Sequence, residues 1–449
     1  MSGQSLVVRP RRAIWGLIVV GGATGLVATA ITPTELEMVL GVGAIALLLW
    51  RLGGLPTLLI LSAMPVEGSV AGIAGAPWYV GVLALVALTV RQVLSSTRTS
   101  SSPERWLLAF GAWVLVSNMW SIAPAVTIVA SLLTFGYVLV AIYQPSDRET
   151  LMTVKTAVVL LIVEVLIAVV QMALIRMHGD TFMALTPSSK LMLQEYGRPS
   201  GTTTEPDSFG LLLGFLLAMT IGSLHKLVRG WRWLAYVSVV GALVGILLSG
   251  SRTAVIAVAI VMVMWAILTG RRQMWLLVGL GMVAVGTALL VPAVSSRLSV
   301  LLSLTTTVGS ANSGAYRLET VAFMLQHISG MVHWIAGNGW GALKAVSEPL
   351  IGVAGFDGTL FGWGSYGPDE LVNLLFNVGA IGVALWLLFL VQVFRYRRRR
   401  SSAVLPLVFA LVASLAADMF GGPLPWIVLS LLMASKVARN DYPHSQLEP

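Results

Sequence analysis

Short groups of polar residues interrupt an otherwise apolar chain, and their residue types suit phosphate binding and proton transfer. The first group, residues 196–207, reads Tyr-Gly-Arg-Pro-Ser-Gly-Thr-Thr-Thr-Glu-Pro-Asp. Arg198 offers a planar fork of donors that matches phosphate oxygens. Glu205 and Asp207 place carboxylates at the head of the apolar run that follows. Helix capping and the helix dipole are the alternative explanation for these two acids.

A second group, Leu248-Ser-Gly-Ser-Arg-Thr-Ala254, places Arg252 where two apolar runs meet with almost no loop between them. An arginine at a membrane boundary is a candidate for function, because an ionised side chain is costly there. The alternative is that the side chain reaches lipid headgroups and has no further role.

The third group opens a longer polar stretch. Arg317 and Glu319 begin an amphipathic segment, 316–328, whose apolar face comprises Leu318, Val321, Leu325 and Ile328. Arg317 is either a third phosphate ligand or an exposed partner of Glu319. The run Gly337-Asn-Gly-Trp-Gly341 is superficially similar to a dinucleotide fingerprint but lacks the preceding strand, so it predicts a tight turn instead.

Carboxylates also open a late apolar run. Asp369, Glu370 and Asn373 share one helical face, an arrangement that suits a base accepting a proton from a hydroxyl group. Capping of the helix again explains part of the pattern. Within an earlier run, Glu164 and Gln171 are seven residues apart and are therefore predicted to share a face that points into the bundle.

These groups must be positioned by membrane helices. Hydrophobic residues make up 57% of the 449 positions and charged residues only 10%, against about 25% charged residues in soluble domains. The net charge of +9 comes from short clusters between apolar runs, which does not favour nucleic acid as a partner. The absence of cysteine excludes disulfides and thiolate metal sites. The five histidines have no ligand spacing, so we expect no metal and no cofactor.

The apolar runs predict a single all-α membrane domain over residues 1–449, with about 12 to 14 spans, since about 20 apolar residues cross a bilayer. The predicted spans are 13–31, 36–50, 54–66, 77–94, 105–121, 125–143, 151–175, 207–225, 233–249, 253–269, 273–292, 369–393, 402–419 and 423–438.

Alternate connections between these spans are basic, the strongest cluster being Arg397–Arg400. The positive-inside rule therefore predicts that both termini are cytoplasmic. The polar groups then all fall on the opposite, outer side, in the loops 176–206 and 294–368 and in the turn 249–252. Arg252 is a basic residue on the side that the rule disfavours.

The order of these motifs resembles the O-antigen ligase/polymerase superfamily of bacterial surface-polysaccharide enzymes. The shared features are an arginine-bearing outer loop before a helix, Ser-Arg-Thr-Ala at a helix start, and a long outer loop with an amphipathic helix. A Gly-x-Gly-x-Gly run and a polar-capped helix that ends in Gly-x-x-Gly follow. The motifs cover roughly residues 190–390.

The resemblance implies a metal-independent, inverting glycosyltransferase of the GT-C type in the bacterial inner membrane, with its active site facing outwards. Its substrates would be a polyprenyl-diphosphate-linked glycan donor and a glycan acceptor. A flippase and a chain-length regulator would be partners. By this resemblance Arg198 and Arg252, with Arg317, bind the diphosphate, and Asp369 or Glu205 is the base.

Ligases of the superfamily carry His followed by Asn in the last motif, where this chain has Pro368 and Asp369. The acidic version is closer to the polymerases, as is Glu-Pro at 205–206, so we expect a polymerase. A ligase that transfers finished glycan to a lipid or protein is the alternative within enzymes. A flippase or other transporter is the alternative from another class, although the chain has few charges within its spans and no evident internal repeat.

Overall fold

The computed structural model describes residues 51–63, 101–179, 187–203, 205–269, 330–342, 370–396, 404–415 and 423–434, with a few isolated positions besides. Across these residues the chain is helical and contains no strand. The α-helices in chain order are α1 (Gly54–Ala63), α2 (Ser102–Val116), α3 (Pro124–Ile142), α4 (Asp147–His178), α5 (Pro187–Tyr196), α6 (Pro206–Gly222), α7 (Arg229–Ser249), α8 (Arg252–Thr269), α9 (Gly330–Ala336), α10 (Glu370–Tyr396), α11 (Leu405–Ala413) and α12 (Leu424–Ala434).

Four of the described helices, α4, α7, α8 and α10, are long and apolar enough to cross a membrane. Shorter apolar helices lie within α3, α6 and α12. These apolar helices are consistent with the predicted all-helical membrane protein, because a helix satisfies its own backbone polar groups in lipid. The predicted span 13–31 lies outside the described residues, as do most of 36–50, 77–94, 273–292 and 294–368.

Helix α4 is longer than predicted at both ends. It begins at Asp147, because the Ser146 side chain accepts the Glu149 N–H and caps the first turn. It ends at His178, because the next residue, Gly179, has a φ of +68°, the left-handed conformation that terminates helices. With 32 residues, the helix is about 48 Å long, well beyond the ~30 Å of a bilayer core.

Helix α6 lies at the centre of one half of the bundle, where it packs against α4, α7, α8 and α11. It is buried along almost its whole length. Small residues allow this close packing: a Cβ atom at Gly214 would lie 2.5 Å from the Phe409 ring of α11. The other half is built from α2, α3, α10 and α12. There Trp386 of α10 packs against Phe110 of α2 and Trp426 of α12.

Connections that the sequence predicts on the same side of the membrane meet in the structure. At the predicted inner end, Glu149 accepts the Leu55 N–H at 2.9 Å and the Tyr143 O–H at 2.8 Å. This one carboxylate therefore joins the start of α1 to the end of α3. At the predicted outer end, Ile122 N–H donates to the Asn338 carbonyl at 3.2 Å.

The amphipathic segment 316–328 is described only at a few positions. Met324 and Ile328 are buried against Ala342 and Phe376, whereas Leu325 is 37% exposed. Of the predicted apolar face, Ile328 is buried and Leu325 is exposed.

Candidate functional site

The loop between α5 and α6, residues 197–205, enters the bundle rather than lying on its surface. Gln171 of α4 donates to the Gly201 carbonyl at 2.9 Å and accepts the N–H groups of Ser200 and Gly201 at 3.2 and 3.0 Å. Glu164 accepts the Thr202 N–H at 3.0 Å and also the Thr202 hydroxyl. Two polar side chains of α4 therefore bind four polar groups of the loop backbone and one hydroxyl.

Glu164 and Gln171 share one face of α4 and point into the bundle, as predicted. The exposed fractions of their side chains are 1% and 0%. Glu164 lies fourteen residues before the helix ends at His178, about 21 Å along its axis. The loop thus reaches the middle of α4. The sequence interpretation gave neither residue a role, although their spacing in an apolar run was a usable signal.

The loop closes around Gly201, which adopts a φ of +58°. A Cβ atom at this position would lie 2.5 Å from the Glu164 carboxylate and 2.5 Å from the Phe209 ring. Only glycine combines this backbone conformation with such close packing. The glycine therefore allows the loop to lie flat between α4 and α6.

Arg198, at the start of the same loop, joins two of the predicted motifs. Its Nε donates to the Ser249 carbonyl at 2.7 Å, and its Nη2 donates to Asp207 Oδ1 at 2.9 Å. The guanidinium lies on Gly250, where a Cβ atom would approach Nε to 3.1 Å. The motif at 196–207 and the motif at 248–254 are therefore adjacent, although Arg198 and Ser249 are 51 residues apart in the chain.

These two bonds occupy two of the five N–H donors of a guanidinium. Within the described residues, the remaining Arg198 donors have no partner. The side chain is 24% exposed, and that of Asp207 is 45% exposed. Asp207, predicted as a residue of the site, orients Arg198 and leaves part of the donor fork available to a ligand.

Arg252 is the first residue of α8 and is exposed. The turn before it is short because Gly250 ends α7 with a φ of +69°, and Ser251 caps α8 by accepting the Ala254 N–H at 3.4 Å. A Cβ atom at Gly210 would lie 2.6 Å from Ser249 and Ser251. The N-termini of α6 and α8 therefore converge, and both favour an anion.

Glu205 occupies the N-cap position of α6, with Pro206 as the first helical residue. Its side chain does not cap the helix. The Glu205 carbonyl accepts the Thr203 hydroxyl at 2.8 Å and the Phe209 N–H at 3.0 Å. The carboxylate, which is partly exposed, lies in the same loop as Arg198.

A second polar group follows one face of α10. Glu370, Asn373 and Asn377 are 5%, 1% and 1% exposed, while Leu371 is 52% exposed. Asn377 Nδ2 donates to Asn373 Oδ1 at 2.7 Å. Among the described residues, Asn377 Oδ1 has no partner. Glu370 and Asn373 share one helical face, as predicted, and the structure shows that this face is buried. Asp369 and Arg317 lie outside the described residues.

Helix α10 is broken at Gly379, where φ and ψ are 64° and −173°. A break leaves helical carbonyls without their usual donors. Here the Asn338 N–H donates to the Phe376 carbonyl at 2.9 Å, and the Gly339 N–H donates to the Asn377 carbonyl at 3.0 Å. Trp113 Nε1 donates to the Val378 carbonyl at 2.9 Å. The glycine run 337–341 is therefore a turn that satisfies the broken helix.

Helix α11 lies between the α6–α8 pair and the start of α10. It packs against α6 and α8, and the Ser414 carbonyl at its end accepts the Glu370 N–H at 3.0 Å.

Within the described residues, no three histidine or carboxylate side chains converge as metal ligands.

No protein-family model matches this chain, and no curated protein matches it.

Proposed function

We propose that this protein is a membrane glycosyltransferase that joins polyprenyl-diphosphate-linked oligosaccharide units. The observation that carries the proposal is the position of Arg198. Its guanidinium retains donors for a ligand and lies on the turn that leads into Arg252. Two arginines and two converging helix N-termini form a setting suited to a diphosphate group.

In the proposed reaction, a hydroxyl of the acceptor sugar attacks the anomeric carbon of the donor. The bond between that carbon and the phosphate oxygen breaks, and the diphosphate leaves with the electron pair. Arg198 and Arg252, with Arg317 as a further candidate, stabilise the charge that develops on the leaving group. A carboxylate accepts the hydroxyl proton, for which Asp369 and Glu205 are the candidates.

A polymerase is favoured over a ligase, because Pro368 and Asp369 stand where ligases of the superfamily that this chain resembles carry His and Asn. The positive-inside pattern favours a bacterial inner membrane with the site on the outer face. The broken helix α10 does not favour an ion-coupled transporter: protein donors bind its carbonyls at Phe376, Asn377 and Val378, which would otherwise coordinate an ion.

The proposal is tested in cells whose surface polysaccharide depends on this protein. Arg198→Ala and Arg252→Ala should each lower the amount of polymer at least about tenfold at equal protein levels in the membrane, a loss of ~1.4 kcal/mol or more in transition-state stabilisation. Arg176→Ala is the matched control, because Arg176 is an exposed arginine at the same predicted end of the bundle. Normal polymer in both site variants would show that these arginines do not bind a substrate phosphate.

The same cells distinguish polymerase from ligase. Deletion of the gene should cause single lipid-linked repeat units to accumulate if the protein is a polymerase. Accumulation of full-length lipid-linked polymer would instead establish a ligase.

A further inference from the structure

Glu164 lies near the middle of α4 and Gln171 about two turns closer to its C-terminal end, and both side chains are buried in the bundle. We infer that they are positioning residues, which hold the loop 197–203 so that Arg198 meets the turn at 249–251. The inference rests on the proposed function in that the loop is held for substrate binding. The hydrogen bonds themselves are independent of it.

The loop needs these two side chains because its backbone is buried. Ser200 and Thr202 are 1% and 9% exposed. The N–H groups of Ser200, Gly201 and Thr202 and the Gly201 carbonyl all bond to Gln171 or Glu164. Inside a membrane protein, irregular backbone is tolerated only where protein groups take the place of water. Glu164 and Gln171 supply those groups.

A purely stabilising contact would not require a carboxylate at this depth. Within the described residues, no lysine, arginine or histidine pairs with Glu164. A buried carboxylate without a cation is costly, and apolar packing between two helices would stabilise the bundle without that cost. The cost is consistent with a requirement for the loop conformation rather than for stability alone.

Glu164 is not itself a candidate base. One of its oxygens accepts the Thr202 hydroxyl and the other the Thr202 N–H, so both are directed at the loop. Its influence on the site passes along the backbone. Glu164 binds Thr202, Gln171 binds Ser200 and Gly201, and Arg198 lies two residues before Ser200 in the chain. Fixing the loop in advance lowers the entropy that substrate binding would otherwise lose.

The cysteine-free chain permits a direct test, since a single introduced thiol is the only one present. Ser200→Cys is the reporter, because the Ser200 side-chain oxygen is buried and has no hydrogen-bond partner among the described residues. The introduced thiol should react slowly with a water-soluble maleimide. Adding Gln171→Met or Glu164→Met should raise the labelling rate at least about tenfold, because the loop then loses part of the hydrogen bonding that keeps it buried. Val170→Ala, at a 42% exposed neighbour on α4, should leave the labelling rate unchanged.

In the purified protein with Ser200 restored, the same α4 substitutions should raise the KM for the lipid-linked donor at least about fivefold, with a smaller change in kcat. Glu164→Gln is the conservative control: its amide oxygen can accept the Thr202 N–H and its NH2 group can donate to the Thr202 hydroxyl oxygen, so labelling and KM should stay close to those of the unchanged protein. Glu164→Met and Gln171→Met test the inference independently if one of them fails to fold. A thiol at position 200 that stays protected in both variants would overturn the inference, as would an unchanged donor KM despite faster labelling. Normal turnover by Arg198→Ala would overturn the proposed function and leave the labelling result intact.

Discussion

Among the single residues of the site, Arg198 matters for the shape of its guanidinium as well as for its charge. It donates in one direction to Ser249 and in another to Asp207, while further donors remain. A lysine carries the same charge on a single ammonium group and cannot reproduce this fork. The geometry therefore separates a requirement for charge from a requirement for a planar donor set.

We expect Arg198→Lys to lose most of the transfer activity, about tenfold or more, because each lost tenfold corresponds to only ~1.4 kcal/mol. Donor turnover by purified protein provides the measurement, with Arg176→Lys as the control. Full activity in Arg198→Lys would mean that the site needs only a positive charge at this position.

The close packing of the loop at Gly201 can be tested by comparison with Gly179, which follows α4 and has a similar backbone conformation. Both have a left-handed φ, +58° and +68°, so alanine at either position costs about 1 kcal/mol of backbone strain. A Cβ atom at Gly201 also meets Glu164 and Phe209, whereas one at Gly179 meets nothing within 4 Å.

Gly201→Ala should therefore lower the free energy of unfolding by roughly 1–3 kcal/mol more than Gly179→Ala, the usual cost of overpacking. Thermal unfolding of the two variants in detergent measures the difference. Equal unfolding temperatures would show that the loop does not lie against Glu164.

At the scale of the helices, two segments of irregular backbone are stabilised by hydrogen bonds from different parts of the protein. The loop before α6 is bound by side chains from α4, and the break in α10 is bound by the turn 337–341 and by Trp113 of α2. Both solutions satisfy buried polar groups that a continuous helix would have satisfied internally. Each therefore depends on an element distant in the chain: Trp113 and Val378 are 265 residues apart.

Trp113→Phe should destabilise the protein by about 1–3 kcal/mol, because it leaves the Val378 carbonyl without its donor while keeping most of the apolar ring. Trp233→Phe is the control, since Trp233 is 69% exposed and lies on the outer surface of α7. The two variants are compared by thermal unfolding in the same detergent. An identical loss from both substitutions would indicate that the hydrogen bond contributes nothing.

Across the protein as a whole, the polar contacts divide between the two ends of the helices. Glu149, Tyr143 and Leu55 meet at one end, and the turn at 337–341 meets the 117–123 connection at the other. This division agrees with the alternation of basic and non-basic connections. The structure relates the connections to one another, and the charge pattern predicts which end faces the cytoplasm.

Single-cysteine variants test that orientation. Met119→Cys, at an 83% exposed position, should react with a membrane-impermeant thiol reagent on intact cells. Gly230→Cys, where a side chain meets nothing within 4 Å, should react only after the membrane is permeabilised. The reverse labelling pattern would place the loop 197–205, and Arg198 with it, on the cytoplasmic side and exclude the proposed reaction at the outer face.

Local sequence was sufficient to predict the long apolar helices, because the backbone hydrogen bonds of a helix form between neighbours in the chain and the length of an apolar run is read directly from the sequence. It did not predict the short helices α5 and α9, which lie in segments interpreted as outer loops. Runs predicted at 125–143 and 233–249 correspond to Pro124–Ile142 and Arg229–Ser249. Helix ends were less predictable: α4 extends past the predicted 151–175 because the cap at Ser146 and the terminator at Gly179 lie outside the apolar run.

Which polar residues act together depends on the packing of the folded chain. Motif spacing singled out Arg198, Asp207 and Arg252, but no local pattern shows that Arg198 lies on the turn at Ser249. Nor does the sequence show that Glu164 and Gln171 bind the loop thirty or more residues away. A helix is encoded by neighbours in the chain, whereas the partner of a buried polar group is chosen by packing between distant segments.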